Sequence, residues 1–434
     1  MKRLVLAVAA ILLAALADCG PGGESESSAP PPPPPPKTVA NTAPVTAGFG
    51  ALGPSGGYVN GIWASVTVCA PGSSNNCQTI PNVLVDTGSV GLRVLSSALT
   101  VSLPNVTDSH GDVLQECVQF ASFDYVWGPV ALAGVEITDT GEEAMQVPGG
   151  AANSGIPIQI IAASPAYPVP SSCLAMSPSP GMESDLNTLT ALGANGILGI
   201  GLYEQDCGSF CTSGSEPEYF YCPGGACTAA NVPLQQQLWN PIAAFGSTDT
   251  NGVLISLPSV SASGAASVSG SMVFGIGTQS DNQLGSARIY AVDPYGNFPQ
   301  VTFNGVTYTS PQNGSFLDTG SEAIFFSDAN SLASAGIVEC GDGLAGYYCP
   351  AGAISFSATV YGANNVHNSV QFSVANALRL FNTGFAVFNN LAGDSGVGPS
   401  TDYLDFGLPF FIGRPVFVGI AGSNSSYANG YWAF

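Results

Sequence analysis

Beyond residue 45 the chain runs in short stretches of alternating apolar and polar positions, among them "GIWASVTVCA", "NVLVDTG", "IPIQIIAA", "SMVFGIG", "ARIYAV" and "PVFVGIAG". A period of two puts successive side chains on opposite faces of a strand, and the Gly, Pro, Asn and Ser residues between the runs are turn formers. Only short segments such as "SDLNTLTAL" and "NVPLQQQLW" read as helix. The pattern predicts an all-β protein with few short helices.

Composition agrees with the pattern. The 434 residues are 45% apolar, enough to build the cores of two domains, while 54 glycines, 33 prolines and only 8% charged residues disfavour long amphipathic helices. Net charge is −22, and three of the seven Lys and Arg residues (Lys2, Arg3 and Lys37) precede the globular region. Such a surface repels phosphate backbones, so nucleic acid is excluded as a partner. Few bases also mean few salt bridges to lose when carboxylates protonate, which permits tolerance of acid.

The first residues, "MKRLVLAVAAILLAALADCG", combine a basic pair with an apolar run from Leu4 to Ala17 and read as a signal peptide over residues 1–19. Leu16-Ala17-Asp18-Cys19 is similar to a lipoprotein processing box, with Cys19 as the lipidated residue, and cleavage after Ala17 is the competing reading. Residues 20–45, with seven consecutive prolines from Pro30 to Pro36, form an extended spacer. The chain is therefore expected outside the cytoplasm, either anchored to the bacterial cell envelope or secreted. Its only contact with a membrane would be through that lipid.

Ten cysteines follow Cys19, an even number suited to disulfides in an oxidising compartment. Cys69 with Cys77 and Cys340 with Cys349 are local pairs, whereas Cys117 with Cys173 is less determined. Cys207, Cys211, Cys222 and Cys227 have C-x3-C and C-x4-C spacings that suggest zinc, but two disulfides fit an exported chain better. No metal and no cofactor is expected.

The chemistry is carried by a long-range repeat. "PNVLVDTGSVGL" (81–92) returns as "GSFLDTGSEAIFF" (314–326), each an apolar run ending in Asp-Thr-Gly-Ser. A third copy of the triplet, Asp139-Thr140-Gly141, shows that the triplet alone selects little. Asp86 and Asp318 are distinguished by later partners, two apolar residues followed by glycine: Ile197-Leu198-Gly199 and Phe411-Ile412-Gly413. The repeat divides the chain into lobes 46–265 and 266–434.

Two carboxyl groups facing each other at about 3 Å cannot both ionise, so they share a proton and supply one base and one acid. That pair can activate a water against a peptide carbonyl and protonate the leaving nitrogen. Gly88 and Gly320 permit the close approach of the loops, and the Thr87 and Thr319 hydroxyls can bond across to the opposite loop. The two histidines, His110 and His367, sit in polar surroundings and read as surface residues, which leaves Ser-His or Cys-His catalysis without material.

These residues resemble the pepsin-like aspartic peptidases, including a bacterial, uncharacterised branch of them. The likeness extends to "GYVNGIWASVTV" as the opening strand, "ANGILGIGLY" in the first lobe, and "SGSMVFGIGTQSDN" and "ARIYAVDPYGNFPQVTFNGVTY" in the second. It implies a two-lobed acid-protease fold with a cleft between the lobes. It also implies an aspartic endopeptidase, monomeric, acting on peptide or protein substrates, with Asp86 and Asp318 catalytic and Ser89 and Ser321 as their outer hydrogen-bond partners. The sequence departs from the family after the first motif, where Val90-Gly91-Leu92-Arg93 replaces the usual Trp. The flap corresponds to "QFASFDYVWGPVALAGVEI", with Tyr125 and Trp127 as its candidates. Arg93 could act on the acidic cleft or pair with a structural acid, and Glu322, beside the second motif, is a candidate specificity carboxylate. Two other functions compete: a catalytically inactive surface module for binding or adhesion, and a glycosidase, whose acid pair would stand about 5 Å or more apart.

Overall fold

The computed structural model describes residues 40–434 apart from 57, 138, 175–182, 214–216, 328–334, 342 and 397–402. The expected signal peptide, Cys19 and most of the spacer lie outside the described residues.

In the first half, the strand Gly61–Cys69 pairs antiparallel with Cys77–Asp86, and the Cys69–Cys77 disulfide closes their hairpin. Cys77–Asp86 then runs parallel to Gly196–Ile200, with Asp86 opposite Gly199. The chain leaving Asp86 turns at once and returns as Val90–Leu95 along the other edge of Gly196–Ile200. Both of these last strands are buried along their whole length, which is why they read as nearly continuous apolar runs rather than alternating ones.

The second half repeats this motif in miniature. Phe316–Leu317, just before Asp318, runs parallel to Asp405–Phe406, which pairs antiparallel with Ile324–Phe325. By this register Asp318 faces Gly407, as Asp86 faces Gly199. The segment Phe411-Ile412-Gly413, expected from the sequence to fill this place, lies elsewhere: Ile412 bridges Leu257, and Gly413 sits against Ser259. The physical marker of the true partner is a glycine pressed on the returning loop. A Cβ on Gly199 would come within 2.7 Å of Val90 backbone, and one on Gly407 within 2.1 Å of the Ala323 carbonyl and 2.6 Å of the Ser321 carbonyl.

The halves are joined by one sheet. Thr42–Gly48 pairs with both Gly61–Cys69 and Val268–Phe274, and the sheet continues through Gly252–Ser256, Val416–Gly419, Tyr431–Ala433 and Ile289–Ala291. Gln300–Phe303, Val306–Thr309, Ile354–Tyr361 and His367–Val374 form a separate four-stranded sheet in the second half. The fold is thus all-β and two-lobed. Its α-helices among the described residues are short, Leu189–Leu192, Ser209–Ser213 and Ala377–Phe381. The first of them is the predicted "SDLNTLTAL" cut to one turn by a Thr188 cap and by Gly193 in the left-handed conformation (φ 72°). "NVPLQQQLW" supplies only a 3-10 turn, Leu234–Gln236.

All ten cysteines of the globular region are paired: Cys69–Cys77, Cys117–Cys173, Cys207–Cys211, Cys222–Cys227 and Cys340–Cys349. Five disulfides in one chain fit an oxidising, extracytoplasmic compartment. Among the described residues no helix is long and apolar enough to cross a membrane.

Candidate active site

The two Asp-Thr-Gly-Ser loops meet at the junction of the lobes. Thr87 donates its hydroxyl to the Leu317 carbonyl (3.2 Å), and Thr319 donates to the Val85 carbonyl (2.7 Å). Each hydroxyl also accepts the other threonine's backbone N–H, at 3.1 Å from Thr87 and 3.0 Å from Thr319. Four bonds therefore tie the loops together with approximate two-fold symmetry, and both threonines are buried.

That tie sets the aspartates face to face. Gly88 N–H donates to Asp86 Oδ1 (2.8 Å) and Gly320 N–H to Asp318 Oδ1 (2.7 Å). A Cβ on Gly88 would lie 2.7 Å from Asp318 Cγ, and one on Gly320 2.8 Å from Asp86 Oδ1, so any side chain on either loop would displace the opposing carboxyl. The Asp318 carboxyl is held well above the usual carboxylate range, first by burial, then by the Asp86 and Asp405 charges and by a hydrogen bond shared with Asp86; Ser321 opposes the shift. The pair consequently keeps a proton at pH values where isolated carboxylates have lost theirs.

The outer partners differ between the loops. Ser89 donates to Asp86 Oδ2, and Ser321 lies 2.9 Å from Asp318 Oδ2. Ser321 Oγ is also 2.6 Å from Asp405 Oδ2, so the second loop has a third carboxyl that the first loop lacks. Asp405 is buried, and its own pKa is raised by that burial, against the bond from Ser321 and with the Glu322 and Asp86 charges. Sequence reasoning missed Asp405 because it looked for two apolar residues before the glycine; the signal is "LDFG", with the acid in one of those positions.

Tyr58 was also missed. It lies in "GYVNGIW", just ahead of the opening strand, and its hydroxyl donates to the Gly320 carbonyl (3.1 Å) while its ring stands edge-on to Trp63. Burial and the Glu322, Asp318 and Asp86 charges push the phenol well above its ordinary pKa, so it stays a donor. Asn60, two residues on, clamps the second lobe: its amide donates to the Glu322 carbonyl (2.7 Å) and the Phe388 carbonyl (3.0 Å), and its oxygen accepts the Phe388 N–H (2.7 Å). Glu322 is half-buried beside the second loop, with its Oε1 accepting from the Tyr347 hydroxyl (2.8 Å).

The remaining candidates fall outside the dyad. Arg93 is 1% exposed and pairs with Glu116 (2.6 Å) and Asp206 (3.4 Å), while its other nitrogen donates to the Val90 carbonyl (2.7 Å). It holds structural acids, and through Val90 it braces the strand that returns from Asp86. Trp127 is fully buried, donates to the Tyr167 carbonyl and stands edge-on to Phe220, so it belongs to the core and gates nothing. Tyr125 is half-buried on a hairpin strand whose backbone is fixed to Ser184 and Leu186. Cys207, Cys211 and Glu218 lie close enough to share an ion, but the two sulfurs are bonded to each other. A cavity of about 220 Å³ opens beside the first loop, lined by Thr87, Gly88, Leu202, Tyr203, Tyr295 and Phe316 among others.

Two facing Asp-Thr-Gly loops, linked by reciprocal bonds of their buried threonines and each backed by a crossing strand with glycine at the contact, define a pepsin-like two-lobed architecture. The chain belongs to the family described as "Protein of unknown function (DUF3443)", whose model matches residues 37–434. No curated protein matches it. Among solved structures, basic 7S globulin from soybean is similar at 11% identity with a TM-score of 0.44, over 91% of this chain and 96% of that one.

Proposed function

We propose that this protein is an aspartic endopeptidase, exported and held at the cell envelope through Cys19, that cleaves extended peptide segments as a monomer. The observation that carries the proposal is the reciprocal bonding of Thr87 and Thr319, which brings Asp86 and Asp318 together as a proton-sharing pair. The burial that raises Asp318 makes a carboxyl pair a costly way to join two lobes, whereas it suits a pair that holds and passes a proton.

In the reaction, a water between the carboxyls gives a proton to the ionised member as its oxygen attacks the peptide carbonyl carbon. The protonated member gives its proton to the carbonyl oxygen, forming a neutral tetrahedral diol. Collapse of the diol returns a proton to a carboxylate, breaks the C–N bond and passes a proton to the leaving amine. Asp86 and Asp318 perform these steps, Ser89 and Ser321 hold their outer oxygens, and no nucleophilic side chain takes part. Because the titration belongs to the pair, neither aspartate alone is designated the base.

The test is hydrolysis of a peptide library from acid to neutral pH, with and without pepstatin. Cleavage should fall by about 10²- to 10⁴-fold in Asp86→Asn and in Asp318→Asn, the range expected for losing a general acid or base. Cleavage that survives both substitutions, or a folded wild type that cleaves nothing, overturns the mechanism.

A second reading, a catalytically inactive module for binding or adhesion, draws on the hairpin Gln115–Gln119 and Tyr125–Ile137. Its second strand is fastened to Ser184, Leu186 and Asn187, and Trp127 packs inward rather than over the dyad. Peptide binding without turnover would select that reading.

A further inference from the structure

We infer that the cleft selects peptides bearing a lysine or arginine side chain on the Gly320 side of the bond to be cut, with Glu322 as the carboxylate that receives it. The inference rests on the peptidase reading above and names its substrate class.

The two sides of the dyad are chemically unlike. On the Gly88 side lies the cavity of about 220 Å³, whose walls are Thr87, Gly88, Leu202, Tyr203, Tyr295 and Phe316 with the Asn297 amide, and which contains no acid and no base. On the Gly320 side, Tyr58 covers the Gly320 carbonyl, and Glu322 follows two residues later. A peptide lying across both aspartates must therefore place one flank against an uncharged, aromatic wall and the other beside a carboxylate.

Glu322 is built to hold its position. Its carbonyl is pinned by Asn60, and its Oε1 accepts from Tyr347, whose ring in turn stands edge-on to Phe381 at 5.2 Å. Among the described residues its Oε2 carries no hydrogen bond, and the residue is only partly buried, so one carboxylate oxygen is left for a ligand. Phe49, Phe325, Tyr347, Phe381 and Phe385 form a partly buried apolar surface in the same region. That is the surface on which the methylene stem of a Lys or Arg side chain packs while its head meets a carboxylate.

The charge around the dyad points the same way. Asp86, Asp318, Asp405 and Glu322 lie together, and Asp405 Oδ1 is buried without a hydrogen-bond partner. Among the described residues no arginine pairs with any of them: Arg93 is taken by Glu116 and Asp206, Arg414 lies over the Phe410 ring at 3.9 Å, Arg379 sits on the short helix Ala377–Phe381, and Arg288 bonds through its backbone to Phe434. Glu322, partly exposed and without an arginine or lysine partner among the described residues, is the acid of this group that a cationic substrate can meet.

The experiment uses the full-length protein and a peptide series with Lys, Arg, Gln, norleucine or Glu at each position flanking a common core. Wild type should favour Lys or Arg over Gln at one position, on one flank only, by about tenfold in kcat/KM. Glu322→Gln should bring the ratio of kcat/KM for the Lys and Gln peptides, both measured on that variant, down to about one, and Glu322→Lys should turn the ratio towards Glu. Binding of the same peptides to Asp86→Asn, measured by calorimetry, separates this inference from the peptidase reading. If nothing is cleaved but cationic peptides bind and Glu322→Gln removes their advantage, the substrate class stands and catalysis fails. A preference that survives Glu322→Gln, or no preference in either cleavage or binding, overturns the inference.

Discussion

Thr87 and Thr319 each use a single hydroxyl twice, donating to a carbonyl of the opposite strand and accepting the N–H of the other threonine. Neither side chain is exposed, so no water can replace these bonds when a hydroxyl is removed. Thr87→Val or Thr319→Val keeps the shape and leaves one N–H and one carbonyl unsatisfied, at about 1–3 kcal/mol for each orphaned group. We expect a loss of about 2–6 kcal/mol of unfolding free energy from either change, and less than half of that from Thr→Ser. Urea denaturation of the four variants checks this, and equal losses for Val and Ser would show that the hydroxyls do not hold the loops.

Arg93 invites a different substitution. Its guanidinium balances the charge of Glu116 and bonds Asp206, whose carboxyl is held well above the usual range by burial and by the Glu116 charge, in a knot that continues through the Tyr219 hydroxyl, 2.8 Å from Asp206, to the Leu238 N–H. Arg93→Met leaves the buried Glu116 without its cation, and breaking one partner of such a pair costs about 3–5 kcal/mol. Adding Glu116→Gln to Arg93→Met should recover part of the loss, because one uncompensated charge disappears with it. Thermal unfolding of the single and double variants measures the recovery; a double variant less stable than Arg93→Met contradicts the ion-pair account.

How much of this was legible beforehand depended on whether the residue's signal was local. The strands and the pairs Cys69–Cys77 and Cys340–Cys349 follow from short-range pattern, since alternation, turn residues and close spacing are written in consecutive positions, whereas matching Asp86 with Asp318 took a comparison of the two halves. Asp405 was hidden because its strand is only two residues long and carries an acid where an apolar side chain was sought. The more apolar "PFFIG" nearby drew the assignment, although strand register, which is a long-range property, favours Gly407. Trp127 was misplaced for the same reason: a strand sequence does not say which face meets the cleft and which the core, and only pairing with Cys117 and the packing of Phe220 decide it.

The third Asp-Thr-Gly has its own chemistry. Glu142, directly after Asp139-Thr140-Gly141, is buried and accepts a hydrogen bond from Ser247 (2.7 Å), with Asp249 as its charged neighbour. Burial first, then Asp249, push its carboxyl up to about 7, against the effect of Ser247. An acid whose folded pKa is raised binds its proton more tightly in the folded state, so stability is lost as pH rises from the ordinary value of 4.5 through about 7. Glu142→Gln, which cannot ionise, should flatten that part of the stability curve and leave the region below pH 4 unchanged. Melting temperatures of the two proteins from pH 4 to 8 test it, and parallel curves would exclude Glu142 as the titrating group.

Ser321 has one hydroxyl proton and two carboxylate oxygens within reach, Asp318 Oδ2 at 2.9 Å and Asp405 Oδ2 at 2.6 Å. It can donate to only one, so the other contact requires a carboxyl that donates to the serine oxygen, and one of the two acids is therefore protonated. Asp405 thus biases the proton content of the pair, and its charge is one of the causes that raise Asp318. In the form that raises Asp318, Asp405 is ionised and takes the serine proton. In Asp405→Asn the amide donates to Ser321 Oγ, the serine hydroxyl is released to Asp318, and a carboxylate that gains a donor and loses a negative neighbour titrates lower. The pair then gives up its shared proton at lower pH, so the alkaline limb of the kcat/KM profile moves to more acid pH while the rate at the optimum is kept. A profile measured with one peptide on both proteins decides it: an unmoved alkaline limb, or one shifted to higher pH, would show that Asp405 does not act on the dyad through Ser321.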